Sequence, residues 1–131
     1  MRSILVVDDD PDIRSLLSTF LAEEGHKVHL ARDGYHALHL LDKIDVPALI
    51  LLDYKMPEMN GAQFLTELRR HPRLQSVPVV ILSGWTREWT GVGRETVEVL
   101  SKPVDLGRLR DVVTRYLGTG EPSETSVRTA Q

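Results

Sequence analysis

Residues 48–61, ALILLDYKMPEMNG, decide the fold, because an apolar run, an acidic residue and a turn follow one another there. Positions 48–52 are apolar without interruption, which is typical of a central parallel strand that is covered on both faces. Pro57 fixes a backbone angle in the segment that follows, and Gly61 allows the loop to pack closely before the next helix. A buried strand therefore leads directly into a turn, with Asp53 at the junction.

Apolar runs and amphipathic stretches alternate on both sides of this segment. The further predicted strands lie at 3–7, 27–31, 77–82 and 98–100. The predicted helices lie between Pro11 and Gly25 and at 33–42, 61–70 and 106–117. This β/α alternation predicts a parallel sheet with helices on both faces. The segment 84–97 contains three glycines and few apolar anchors, so a helix between the fourth and fifth strands should be short or irregular.

Length and composition limit the possible functions. The chain has 131 residues, which is typical of one domain, and we predict a domain at 1–117 and a flexible polar tail at 118–131. It has no Cys, which excludes disulfides, thiolate metal sites and cysteine nucleophiles. A net charge of −3 argues against nucleic-acid binding by bulk charge. No apolar run approaches the roughly 20 residues of a membrane span, and the start does not look like a secretory signal, so we expect a cytoplasmic protein.

Polar side chains follow the predicted strands, at the edge where an open parallel sheet binds ligands. These residues are Asp8, Asp9, Asp10, Asp53, Ser83 and Lys102. Each has a simpler interpretation when taken alone, and Asp10 before Pro11 suits a helix N-cap. Their joint placement at four strand ends is what predicts a site.

The chemistry of this set points to phosphate. Carboxylates held close together repel one another and need a cation, and oxygen ligands without His or Cys suit Mg²⁺ or Mn²⁺. Asp53 at the end of the central strand could act as a nucleophile, since carboxylates form aspartyl phosphates. Lys102 would then offset charge on the phosphoryl group, and Ser83 could hydrogen-bond one of its oxygens.

Four stretches together resemble the receiver domain of two-component response regulators. They are ILVVDDDPDIR (4–14), LILLDYKMPEMNG (49–61), VVILSG (79–84) and LSKPVDL (100–106). The resemblance implies a flavodoxin-like, doubly wound five-stranded parallel sheet of order 2-1-3-4-5. It also implies that the protein accepts a phosphoryl group from a histidine kinase and changes conformation in signal transduction.

The resemblance assigns roles to particular residues. Asp53 matches the phosphoacceptor, and Ser83 and Lys102 match the switch hydroxyl and the lysine of the family. Asp8 and Asp9 match the acidic pair that holds Mg²⁺ with Asp53, and Lys55 matches the position whose backbone carbonyl ligates the metal. Such a protein is not a conventional enzyme, although it catalyses its own aspartyl phosphorylation and dephosphorylation. Its expected partners are a sensor histidine kinase or phosphotransfer protein and an unknown downstream protein, with no direct binding of nucleic acid or membrane.

Val99 departs from the family pattern and keeps an alternative open. Receivers usually carry Tyr or Phe three residues before the lysine, where this chain has Val99. Valine has no ring to move inward, so the usual coupling between the switch hydroxyl and an aromatic ring cannot operate in the same way. Another part of the protein would have to carry the activation signal. A receiver-like binding module that works without phosphorylation is therefore the alternative. A phosphatase with an aspartyl nucleophile ranks last, because Lys55 stands where that chemistry usually has a second acid.

Overall fold

The computed structural model describes residues 3–84 and 97–118, and its centre is a five-stranded parallel sheet. The strands are β1 (Ser3–Val7), β2 (Lys27–Ala31), β3 (Leu49–Asp53), β4 (Val79–Ser83) and β5 (Val97–Ser101). Their order across the sheet is β2-β1-β3-β4-β5, so the direction of winding changes between β1 and β3. This result confirms the predicted flavodoxin-like fold and its strand order.

The helices in the described ranges begin at polar caps. They are α1 (Pro11–Glu23), α2 (Gly34–Leu41), α3 (Gly61–Arg69) and α4 (Leu106–Leu117), with a short 3-10 helix at Pro72–Leu74. The side chain before each α-helix accepts a hydrogen bond from a backbone N–H of the first turn, which satisfies a donor that the helix itself cannot pair. These cap residues are Asp10, Asp33, Asn60 and Asp105.

The sheet separates two apolar layers. Leu5 and Val7 of β1 point into the layer that α2 and α3 cover, which includes Phe64. Ile4 and Val6 point into the opposite layer with α1 and α4, which includes Leu109. Because successive side chains of a strand point to opposite faces, the continuous apolar run of β1 is buried on both sides.

Two predicted strands shift by one or two residues in the structure. β3 extends to Asp53, because the main chain of Asp53 still pairs with Leu82 of β4 although its side chain is charged. β4 begins at Val79, after Pro78, which has no amide hydrogen to give to a ladder. Both shifts bring a polar side chain into the last position of a strand.

Some predictions concern residues beyond the described ranges. The short or irregular helix predicted between β4 and β5 and the polar tail after position 118 lie outside them. The domain boundary at 117 therefore stays a prediction. Among the helices at 3–84 and 97–118, none has the length and apolar character needed to cross a bilayer.

Candidate functional site

The carboxyl ends of β1 and β3 carry two buried carboxylates side by side. Asp8 directly follows β1 and is fully buried, and Asp53 is the last residue of β3 and is 4% exposed. β1 and β3 are neighbours in the sheet, at the point where the winding direction changes. Open α/β sheets bind their ligands in the crevice at this point. The fold therefore places both acids where a ligand site is expected.

Lys102 brings a positive charge to these carboxylates from the end of β5. Its Nζ donates a hydrogen bond of 2.9 Å to Oδ1 of Asp53 and lies 3.5 Å from Oδ2 of Asp8. Its backbone N–H donates to the carbonyl oxygen of Ser83 at 2.8 Å, which fixes the start of the loop after β5. The lysine side chain stays 26% exposed, so its ammonium group can reach both the acids and solvent.

The loop between β1 and α1 holds Asp8 in place. The backbone N–H of Asp10 donates to Oδ1 of Asp8 at 2.9 Å, and Nη1 of Arg14 donates to the carbonyl oxygen of Asp8 at 2.7 Å. The side chain of Asp10 accepts from the backbone N–H of Asp12, which confirms the predicted cap. Asp9 is exposed at the mouth of the site. One acid of the pair is therefore fixed and the other is open to solvent.

Burial dominates the electrostatics of the two inner acids. Burial raises the pKa of Asp53 to about 6, although the hydrogen bond from Lys102 lowers it, and the charge of Asp8 adds to the rise. Burial also raises the pKa of Asp8, against the hydrogen bond from Asp10 and the charge of Lys102. For Lys102, burial lowers the pKa, but its contacts with Asp53 and Asp8 outweigh burial, so the net shift is upward. A single ammonium group thus leaves the two carboxylates incompletely compensated.

The same carboxylates could hold a divalent cation. Asp8, Asp9 and Asp53 each offer an oxygen, and these oxygens all lie within 4.8 Å of one another. Oxygen ligands that carry negative charge and sit partly out of water suit a hard cation. The donor set therefore fits the metal that the sequence predicts.

The two remaining predicted site residues, Ser83 and Lys55, differ in exposure. Ser83 is the last residue of β4, is 1% exposed and pairs with Ser101 of β5. Lys55 lies two residues beyond Asp53 in the loop before α3, and its side chain is exposed. Val99 of β5 packs against the apolar layer of α2 and α3. Its register partner on the neighbouring strand β4 is Ile81.

Sequence reasoning missed two features that support the site. Arg14 was not predicted, because no pattern in the sequence shows that its guanidinium reaches the backbone of Asp8. Asn60 and Gln63 form a reciprocal capping box at the start of α3, which fixes the end of the loop that begins at Asp53. The spacing of Asn60 and Gln63 could have revealed this second feature, because a capping residue followed three positions later by Gln is its signature.

The family model for the response regulator receiver domain matches residues 4–114. The chain belongs to this family. The match spans the sheet, from the second residue of β1 to Thr114 in the C-terminal half of α4, and includes all the predicted site residues. Receiver domains act in two-component signal transduction, so the chain is a response regulator receiver.

Individual relatives agree with this membership. The chain is 37% identical over 120 residues to the regulatory protein AtoC of Escherichia coli, covering 89% of this chain and 25% of AtoC. It is 37% identical over 127 residues to the response regulator Rre1 of Synechocystis, covering 92% of this chain and 54% of Rre1. This receiver thus spans a quarter to about half of these two relatives.

Solved structures show the same architecture. The response regulator TrrA of Thermotoga maritima, in complex with Mg²⁺-BeF, has a TM-score of 0.78 at 29% identity, covering 89% of this receiver and all of that chain. The chemotaxis protein CheY4 of Vibrio cholerae has a TM-score of 0.77 at 27% identity, covering 89% of this receiver and 99% of that chain. The metal complex is a property of TrrA.

Proposed function

We propose that Asp53 accepts a phosphoryl group from the phosphohistidine of a sensor histidine kinase or a phosphotransfer protein. The observation that supports this proposal is the 2.9 Å contact between the Asp53 carboxylate and the Lys102 ammonium, beside two further carboxylates. The Asp53 carboxylate has the Lys102 ammonium beside it and lies at the crevice between the ends of β1 and β3, so it is placed to act as a nucleophile. The acceptor and its charge partner thus come from the ends of two separate strands.

The proposed transfer is an in-line displacement at phosphorus. A carboxylate oxygen of Asp53 forms a bond to phosphorus while the bond from phosphorus to the histidine ring nitrogen breaks. The electron pair of that bond stays on the nitrogen, and the ring, protonated on its other nitrogen, leaves as neutral imidazole. Lys102 stabilises the added negative charge because its ammonium already lies beside Asp53, and Ser83 is the proposed second donor to the phosphoryl oxygens. Hydrolysis of the acyl phosphate by water restores Asp53.

We propose that Mg²⁺, which Mn²⁺ could replace, is held by Asp8, Asp9 and Asp53 and by the backbone carbonyl of Lys55. Support comes from the three carboxylate oxygens within 4.8 Å of one another and from the burial of two of these acids. When bound, the cation offsets the negative charge of the carboxylates and of phosphoryl oxygens. Lys102 alone leaves that charge only partly compensated.

The proposed output is a conformational change in strands β4 and β5, at one side of the sheet, that a partner protein recognises. A phosphoryl group on Asp53 would alter the ion pair with Lys102, and the backbone of Lys102 is bonded to Ser83 at the end of β4. Val99 has no ring to carry the change, so we propose that the main-chain link between β4 and β5 carries it. We further propose that the receiver spans 1–117, with a flexible tail after it, and works in the cytoplasm with its kinase.

Intact-protein mass spectrometry tests this proposal. The chain is incubated with acetyl phosphate and Mg²⁺, with a metal-free sample beside it. We expect the mass of one phosphoryl group in the wild type and in Asp33→Asn, a matched control that keeps a capping side chain at α2. We expect none in Asp53→Asn or without metal.

Two outcomes would contradict the proposal. An adduct of equal yield in Asp53→Asn would mean that another residue is the acceptor. A folded wild type that binds Mg²⁺ but takes no phosphoryl group, from acetyl phosphate or from a phosphorylated kinase, would favour the binding module that works without phosphorylation. That alternative draws its support from Val99.

A further inference from the structure

A second pocket lies at the N-terminal ends of strands β1 and β2. The carboxylate site lies at the opposite, carboxyl ends of the strands. It has a volume of about 250 Å³ and is lined by Ser3, Lys27, His29, Lys43, Ile44 and Asp45. Ser3 and Lys27 are register partners at the starts of β1 and β2, and the last three residues follow α2. The five residue-to-residue steps from Ser3 to Asp8 span about 16 Å at the rise of a β-strand. The two sites are therefore separated by the length of the sheet.

The basic side chains of this pocket have no partners among residues 3–84 and 97–118. Lys27 and Lys43 form no ion pair within 4.0 Å there, and Asp45, the one acid lining the pocket, forms none either. The two ammonium groups and one carboxylate leave a net charge of +1 with His29 neutral and +2 with it protonated. The pocket therefore concentrates uncompensated positive charge in a concave site.

Hydrogen-bond donors accompany this charge. Ser3 is 3% exposed, and it is one of the residues that line the pocket. Lysine ammonium groups, a serine hydroxyl and an imidazole N–H are the donors that bind anionic oxygens, and charge-assisted hydrogen bonds are the stronger kind. The two ammonium groups, the hydroxyl and the imidazole N–H would not form favourable contacts with an apolar or cationic ligand.

We infer that this pocket binds a small phosphate-type oxyanion, either free phosphate or the phosphate of a small monoester. The volume favours this size, because pockets for drug-sized ligands start at roughly 300 Å³. The inference goes beyond the proposed phosphoacceptor function and does not depend on it. A bound anion would lie at the N-terminal ends of the strands, away from Asp53 at the carboxyl end of β3. Its binding needs no divalent cation.

His29 offers a local readout for such binding. Burial lowers the pKa of His29, and the charge of Lys27 lowers it further. The other charged groups lining its pocket are Lys43 and Asp45. A dianion in the pocket would favour the protonated imidazole and so raise the pKa of His29.

The experiment is an NMR titration of the histidine side chains of the full chain in metal-free buffer. Inorganic phosphate is added at constant ionic strength, and glycerol phosphate and sulfate are added in parallel. We expect phosphate to raise the pKa of His29 along a saturating curve, while the other histidines serve as internal references. Tighter binding of glycerol phosphate than of phosphate would identify the monoester as the ligand, and the reverse would identify free phosphate.

Charge variants make the test specific. We expect Lys27→Ala and Lys43→Ala each to weaken phosphate binding by about tenfold, since one charge-assisted contact is lost in each. Asp45→Asn should tighten binding, because it removes the one carboxylate lining the pocket. The matched control is Arg70→Ala, which removes one exposed positive charge at the end of α3 and should leave the affinity unchanged.

Three results would overturn the inference. They are a linear response without saturation, equal shifts at every histidine, and an unchanged affinity in both lysine variants. Each of them would mean that phosphate acts through general screening and not through this pocket. None of them bears on whether Asp53 is phosphorylated.

Discussion

Replacing Asp53 by asparagine should stabilise the metal-free protein. The pKa of Asp53 rises from 3.8 to about 6 on folding, chiefly through burial, despite the contact with Lys102. Folding therefore disfavours the ionised carboxylate that is present at about pH 7. Asparagine has nearly the same shape and no charge, so the variant avoids this cost while Lys102 keeps its contact with Asp8.

The size and the sign of the effect follow from the same shift. A rise of about two pKa units corresponds to roughly 3 kcal/mol at about pH 7, and we expect a gain of about 1–3 kcal/mol, since asparagine must still find partners in the site. Because the folded-state pKa lies above the unfolded-state value, the stability that protonation of Asp53 contributes is present below about pH 4 and is lost as the pH rises through about 6. The advantage of the variant should therefore grow between these two pH values.

Urea unfolding of both proteins measures this difference. The free energies of unfolding are compared at about pH 4 and about pH 7 in a chelating buffer, and again with Mg²⁺ at the higher pH. We expect the gap to close at low pH, where both proteins are neutral at position 53, and to narrow with Mg²⁺, which stabilises only the wild type appreciably. Asp111→Asn, at an exposed position on α4, is the control and should change little at either pH.

The reasoning would be refuted by a variant that is less stable than the wild type at about pH 7, or by a stability gap that does not change with pH. The first result would mean that the ion pair with Lys102 more than compensates the burial of Asp53. The second would mean that the difference comes from packing or from hydrogen bonding and not from ionisation.

Further predictions concern other parts of the structure. Lys102→Met should lower the free energy of unfolding by roughly 1–3 kcal/mol at about pH 7 and by less at about pH 4, because it leaves two buried carboxylates without their cation; urea titrations at the two pH values check this. Gly61→Ala should cost roughly 1–3 kcal/mol in the same measurement, because an added Cβ would lie 3.0 Å from the backbone Cα of Tyr54. Gly84→Ala is its control and should change stability far less, because no atom of residues 3–84 and 97–118 lies within 4 Å of an added Cβ there. Asp105→Ala should lower the thermal midpoint by the equivalent of about 1 kcal/mol, since two backbone N–H groups of α4 lose their acceptor, whereas Asp105→Asn should keep most of the stability.

The sequence predicts the sheet well because its strands are apolar on consecutive positions. The bounds predicted for β1 and β2 match those observed, and helix α2 lies within the predicted 33–42, with Asp33 as its cap. The ends of β3 and β4 were predicted one residue early. Hydrophobic patterning cannot show that Asp53 and Ser83 still pair through their main chains, since it reports only side chains.

The candidate site was predicted in its composition but not in its contacts. Parallel topology alone brings the carboxyl ends of the strands together, so the sequence groups Asp8, Asp53 and Lys102. The contact between Lys102 and Asp53 joins residues 49 positions apart and depends on how the loop after β5 turns. The support from Arg14 to the backbone of Asp8 also needs the folded loop. Spacing along the chain carries no information about either contact.

The carboxylate site opposes the stability of the fold that carries it. Asp8 follows the buried strand β1 and Asp53 is the last residue of the buried strand β3. An apolar residue at either position would be buried at no electrostatic cost, whereas burial raises the pKa of each acid. A sequence that served only to fold would not place two acids next to each other in a layer with one ammonium group between them. A cation or a phosphoryl group at this edge supplies the reason for the arrangement, because each gives the buried charges a partner or a reaction. Local conflict with folding is thus itself the evidence that these positions serve function.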